Sequence, residues 1–174
     1  MNEIEIAVLD FLQNVIKGDI LDFVMPKITA LGNAGILWII LTLIFLISKK
    51  YRKTGVVMAI ALVLDLIFCN MLIKPLVARQ RPFHINPDII LMIDPPGDHS
   101  FPSGHTAASM YFSKYKHWKV FGVIALAIAF SRLYLYVHFP TDVIGGAALG
   151  IACAYAAHRI YTAAERKREK RKEV

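Results

Sequence analysis

The sequence predicts an all-α, polytopic membrane bundle of about five to six helices. Three observations lead there. The 174-residue chain is 56% hydrophobic and only 19% charged, with a mean hydropathy of +0.50. Its apolar residues gather in runs at 35–48, 55–73, 120–131 and 143–157, and the charges lie between them. The runs are also long. A bilayer core takes roughly 20 mostly apolar residues per helix. The stretches 54–73, 118–137 and 142–163 reach that length, and 34–48 reaches it once the weakly polar residues before it are counted. A soluble all-α domain with a very apolar core is the weaker expectation. The length suits a single integral membrane domain over 1–174.

Residues 4–16 are apolar with acids at 5 and 10, and 20–31 carry Asp22 and Lys27 and are interrupted by Pro26. Neither half is long enough to span, so 1–33 is expected to hold helices lying in the interface or partly inserted; one additional full span is the alternative. Glu3, Glu5 and Asp10 stand where a signal peptide would have a basic start, so none is expected. Cys69 and Cys153 fall inside apolar runs and read as small buried hydrophobes. Asp65 lies in the middle of a span; intramembrane acids are functional candidates, but a hydrogen bond to another helix is the favoured expectation. Gly146 and Gly150, four apart, permit close helix packing. The tail at 164–174, with its ERKREKRKEV run, reads as a solvated cytoplasmic anchor for anionic lipid headgroups rather than a nucleic-acid-binding segment.

Basic residues flanking spans favour the cytoplasm. Lys49, Lys50, Arg52 and Lys53 form one cluster, Lys114, Lys116 and Lys119 a second, and Arg159 with the tail a third. All three share a side if the chain crosses between each pair. Loop 75–103 and turn 132–142 then lie together on the opposite, extracytoplasmic side. Lys74, Arg79, Arg81 and Arg132 break the charge rule there. A bound anion would explain them.

Three short constellations occupy that side. In KPLVARQRP (74–82), Pro75 suits a first helical turn and Pro82 ends it. If the segment is helical, Lys74 and Arg81 lie nearly two turns apart and point the same way, with Arg79 pointing elsewhere. Two such cations suit a phosphate, one as a point charge and one as a bidentate fork; an ordinary basic flanking loop is the alternative. In FPSGH (101–105), Ser103 is a natural N-cap, Gly104 admits close backbone approach, and His105 falls in the first turn beside whatever binds the free N–H groups. A capped helix with an incidental histidine is the alternative. In SRLYLYVHFPTD (131–142), Arg132 ends a helix, His138 sits in a turn, Thr141 can cap the next helix and Asp142 lies in its first turn. A carboxylate four residues after a histidine can bond one ring nitrogen and raise the nucleophilicity of the other.

Lys74-x6-Arg81-Pro82, Pro102-Ser103-Gly104-His105 and Ser131-Arg132-x5-His138-x3-Asp142 together resemble, in order, the three signature motifs of the type 2 phosphatidic acid phosphatase (PAP2) superfamily, which includes membrane lipid phosphatases and vanadium haloperoxidases. The resemblance extends over about 30–163 and implies a PAP2/haloperoxidase-like helical core. It implies His138 as the nucleophile that becomes a phosphohistidine, Asp142 as its orienting partner, and His105 as general acid and then base. It implies Lys74, Arg81, Arg132, Ser103 and the Gly104 amide as the phosphate cradle. It also implies no metal and no cofactor, in keeping with a sequence that has no carboxylate cluster suited to magnesium.

The expected activity is hydrolysis of a lipid phosphate or diphosphate at the extracytoplasmic face. Undecaprenyl diphosphate is favoured; phosphatidylglycerol phosphate and phosphatidate are the other candidates. Phosphotransfer to an alcohol is the alternative within the fold, haloperoxidation is a remote one, and a non-catalytic anionic-lipid binding or transport protein is the alternative outside it. One departure stands out. TAASMYFSKYKHWK meets Lys114 about nine residues after His105, roughly 14 Å of helix. That is about half a crossing, so either Lys114 and Lys116 snorkel or the helix is truncated. The oligomeric state is not legible.

Overall fold

The structure, a computed structural model, describes residues 2–109 and 118–172. Among them the regular elements are all helical. Helix α1 (Asn2–Phe11) continues into wide π-type turns at Leu12–Ile16. Helix α2 (Asp19–Leu31) bends by 45° through a short turn at Asn33–Gly35 into α3 (Ile36–Ile47). Ala34 and Gly35 both take positive φ in that turn, which breaks the helical path. Helix α4 (Arg52–Asp65) widens into π-type turns over Leu66–Ile73 and ends in α5 (Lys74–Val77). Short helices α6 (Pro82–Ile85) and α7 (Gly104–Ser109) precede α8 (Trp118–Tyr134) and the long α9 (Pro140–Lys170).

Arg52–Ile85 and Pro140–Lys170 are each long and apolar enough to cross a membrane, and the bent α2–α3 pair makes a third candidate. Phe121–Tyr134 is a shorter apolar helix. Helix α2 thus runs into α3 across the bend, whereas α1 packs against α9 and the buried Tyr136 and Phe139. The question of Lys114 and Lys116 falls at 110–117, outside the described residues.

The bundle is built by α4 packing on α3 and α9, with α7 held between α8 and α9. Trp38, Met58, Ala61, Ile128, Cys153 and Ala157 form its main core. Outward faces remain apolar: Ile40, Ile44, Val123, Leu126, Ile144 and Ile151 are all exposed. Such a surface is a liability in water and the expected one where hydrocarbon is the solvent. Cys69 and Cys153 are both free and buried, as read from the sequence.

Gly146 and Gly150 decide where the FPSGH segment sits. A Cβ on Gly146 would lie 2.4 Å from the Ser103 carbonyl oxygen, and one on Gly150 would lie 2.2 Å from that of Ala107. With no Cβ at either position, the backbone of α7 rests directly on α9. The expected small-residue packing therefore fixes the motif that bears His105 against the helix that bears Asp142.

Candidate active site

The three motifs converge. Lys74, Arg81, Gly104, His105, Arg132 and His138 line one cavity of about 1180 Å³ between the α2–α3 bend, α4 and the loop before α7. Asp142 and Ser103 stand behind that wall, both fully buried.

His138 is held by its turn. Tyr136 takes a left-handed φ of 59°, unusual for a bulky residue. Its ring is fully buried against Leu9 and Phe139, and its hydroxyl donates to Asp10 Oδ1 at 2.7 Å. These contacts over-determine a conformation that the backbone alone disfavours. His138 Nε2 lies 3.2 Å from Arg81 Nη1. A guanidinium only donates, so Nε2 carries the lone pair and Nδ1 the proton. Nδ1 lies 3.5 Å from both Asp142 Oδ2 and Ser100 Oγ. Burial first, and then Arg132, Arg81 and Lys74, hold the ring well below the usual histidine range. A neutral imidazole with its free nitrogen beside a cationic cradle is poised as a nucleophile.

Asp142 sits at the third position of α9, where its Oδ2 accepts from Phe139 N–H at 2.8 Å and from the Ser100 hydroxyl. The expected cap by Thr141 is thus corrected. Asp142 caps the helix, and Thr141 donates to Glu5 instead, from its N–H at 3.1 Å and from its hydroxyl. The helical expectation for 74–81 is corrected too. Helix α5 ends at Val77, Ala78 takes a left-handed φ of 48°, and Arg81 is extended. That break turns Arg79 behind the cavity wall, where its Nη1 donates to Asp142 Oδ1 and to Thr141 Oγ1, each at 2.7 Å. Its Nη2 pairs with Glu5 Oε2, and its guanidinium stacks 4.0 Å over the Phe139 ring. Burial pushes the Glu5 carboxyl up, but the Thr141 and Arg79 bonds outweigh it and keep the group below the usual range. Glu5, Arg79 and Ser100 were absent from the expected site. The available signal was an acid in an apolar stretch and a cation on the wrong side of the charge rule.

The cradle cations differ in how they are satisfied. Lys74 Nζ and Arg81 Nη2 both pair with the Asp98 carboxylate. Arg81 also donates from Nε to the Asp98 carbonyl at 2.8 Å and from Nη1 to the Val137 carbonyl at 2.7 Å. Arg132 is 2% exposed and donates from Nη1 to Thr29 Oγ1 at 2.6 Å, while its Nε has no partner. Among the described residues Arg132 has no carboxylate pair. An unmet buried donor costs about 1–3 kcal/mol, and an anion in the cavity would remove that cost.

His105 Nε2 lies 3.0 Å from Asn33 Oδ1, so the α2–α3 turn orients its ring. Burial first, and then Arg132, His138, Lys74 and Arg81, push it below the usual histidine range. Ser103 donates its N–H to the Asp142 carbonyl at 3.0 Å, and its hydroxyl accepts from Thr106 at 3.1 Å. It ties α7 to α9 from behind and does not line the cavity. Asp65 departs from expectation as well: it is buried on the cavity wall, and its Oδ1 has no partner. Among the described residues, no group of three or more His, Cys, Asp or Glu is arranged to hold a metal ion.

The chain is 32% identical to a lipid A 4'-phosphatase of Porphyromonas gingivalis over 71% of this chain and 61% of that one. It is 34% identical to an undecaprenyl-diphosphatase of Sulfolobus acidocaldarius over 65% of this chain and 58% of that one. It thus spans about three fifths of the length of these two relatives. Its fold is similar to the crystal structure of a transmembrane PAP2-type phosphatidylglycerolphosphate phosphatase from Bacillus subtilis, with a TM-score of 0.73 and 27% identity over 91% of this chain and 85% of that one. The family model of the PAP2 superfamily matches residues 52–166, a stretch that contains all three motifs, and the chain belongs to that superfamily.

Proposed function

We propose that this chain is an integral membrane phosphatase that hydrolyses a lipid phosphate or diphosphate through a phosphohistidine on His138. The observation that carries the proposal is the buried, uncompensated Arg132 in the same cavity as Lys74, Arg81 and the free Nε2 of His138. In this reading the phosphoryl group bonds Lys74, Arg81, Arg132 and the Gly104 amide. His138 Nε2 attacks phosphorus, and the Nδ1 proton faces Asp142, which stabilises the positive charge that develops on the ring. The arriving anion offsets the cations that add to burial in keeping His105 neutral, so His105 can take up a proton. It gives that proton to the leaving oxygen, then removes one from the water that cleaves the phosphorus–nitrogen bond.

A lipid substrate is supported by the apolar exterior and by the relatives' names, which cite lipid A, undecaprenyl diphosphate and phosphatidylglycerol phosphate. Undecaprenyl diphosphate remains the favoured substrate. We place the cavity at the extracytoplasmic face and the basic tail in the cytoplasm, on the charge clusters of the sequence. Phosphate release by the purified chain in detergent with EDTA, on polyprenyl diphosphate, phosphatidylglycerol phosphate and phosphatidate, tests the proposal. Release from at least one lipid is expected, and its complete loss in His138→Ala. Full release by His138→Ala would overturn the mechanism.

A further inference from the structure

The Asp98 carboxylate sits on the cations that the proposed function assigns to the substrate phosphoryl group. Its Oδ2 pairs with Lys74 Nζ and its Oδ1 with Arg81 Nη2, so one side chain occupies two of the three cradle cations. The cations are almost wholly enclosed, their side chains 9% and 2% exposed, whereas that of Asp98 is 51% exposed. Asp98 also lines the cavity, in the DPPGDHS loop that leads to α7. Its backbone is anchored separately, through its carbonyl on Arg81 Nε. The carboxylate can therefore turn out to water without releasing the loop or Arg81.

We propose that Asp98 is an internal competitor for the phosphate subsite, holding Lys74 and Arg81 in the resting protein, yielding them to the substrate, and retaking them to expel inorganic phosphate. The inference rests on the function proposed above. The charges allow the exchange in both directions. A phosphate dianion carries more charge than one carboxylate and offers oxygens to a bidentate fork, so it wins when present. The carboxylate is tethered and always at hand, so it limits how long a free phosphate product stays. Arg132, with no carboxylate of its own among the described residues, remains available as the first contact for an incoming anion. A purely structural role makes the opposite forecast, because a residue that only positions Lys74 and Arg81 would weaken phosphate binding when removed.

The test is titration of the full chain in detergent with inorganic phosphate, followed by calorimetry, for wild type, Asp98→Asn, Asp98→Ser and Asp98→Glu. Removing the competing charge is expected to tighten phosphate binding about tenfold in the Asn and Ser variants, the scale of a charge-assisted contact net of solvation. Asp98→Glu, which keeps the charge, should stay near wild type. Steady-state assays of the Asn variant should show stronger product inhibition and a lower KM. Unchanged or weaker phosphate binding in both neutral variants would overturn the proposal. So would failure of both to fold, which would make Asp98 a structural clamp. Phosphate binding needs no turnover, so the two proposals can fail separately. Tighter phosphate in a chain that hydrolyses no lipid leaves the competitor and removes the enzyme; hydrolysis with unaltered phosphate affinity does the reverse.

Discussion

Two carboxylate–cation clusters flank His138, and they are built to opposite specifications. Behind the ring, Asp142 is fully buried, bonded to Arg79, Ser100 and the Phe139 amide, and backed by a buried Glu5. In front, Asp98 faces Lys74 and Arg81 with half its side chain in the open. Both clusters join acids to bases within hydrogen-bond reach. Burial separates them: a carboxylate with no water to turn to is a fixture, whereas one at the mouth of a cavity can exchange partners. The rear cluster can therefore orient the histidine and the front one can be displaced by a ligand.

Substitutions should separate the two clusters by size and sign. The largest effect is expected from Arg79→Gln. It leaves Glu5 and Asp142 facing each other without a cation, and breaking such a buried pair typically costs about 3–5 kcal/mol. A fall in melting temperature and a kcat reduced about 100-fold are expected in a lipid-phosphate assay; wild-type behaviour in both would show that the rear cluster is dispensable. Gly150→Ala should follow, because its methyl would lie 2.2 Å from the Ala107 carbonyl and push α7 off α9. Overpacking of this kind costs about 1–3 kcal/mol, and the loss should appear in melting temperature and in kcat together, since His105 moves with α7.

A smaller effect reads the front cluster through pH. Burial and the three cations hold His138 below its usual range, while Asp98 opposes them. The attacking histidine is neutral, so kcat/KM should show an acid limb set by His138, at a pH below the ordinary histidine value near 6.5. Removing the Asp98 charge leaves the cations less compensated, and the acid limb of Asp98→Asn should move to still lower pH. A shift upward would contradict the assigned electrostatics. The smallest effect is expected from Lys53→Gln. The Lys53–Glu165 pair at 2.9 Å joins α4 to α9 at an exposed surface, far in chemistry from either cluster, and exposed pairs contribute little. Melting temperature and kcat should both stay at wild-type values.

Much of the site was legible in the chain. Lys74, Arg81, Gly104, His105, Arg132 and His138 were named from spacing and motif, and all six line one cavity. What escaped was the material between and behind them. Arg79 was read as pointing away from Lys74 and Arg81, and it does not line their cavity; what the spacing did not show is that the left-handed Ala78 turns it onto Asp142 and Glu5 behind His138. The wide turns over Leu66–Ile73 likewise alter the register in which Lys74 arrives. Thr141 was preferred as a cap because hydroxyls commonly cap helices, but the Asp142 carboxylate takes the Phe139 amide and Glu5 claims the threonine. Asp98 carried no local signal, since an acid in a Pro- and Gly-rich loop is ordinary.

Hydropathy and motif spacing were enough to determine a helical membrane chain and to pick out residues that line its cavity, because apolar run length and short motifs are local properties. Folding then decided the pairings: Glu5 with Arg79 across 74 positions, Arg79 with Asp142 across 63, and Lys74 with Asp98 across 24. Those contacts depend on the left-handed turns at Ala78 and Tyr136, on the widened turns over Leu66–Ile73 and on two glycines that let α7 rest on α9. Their energies come from burial, which exists only once the helices have packed.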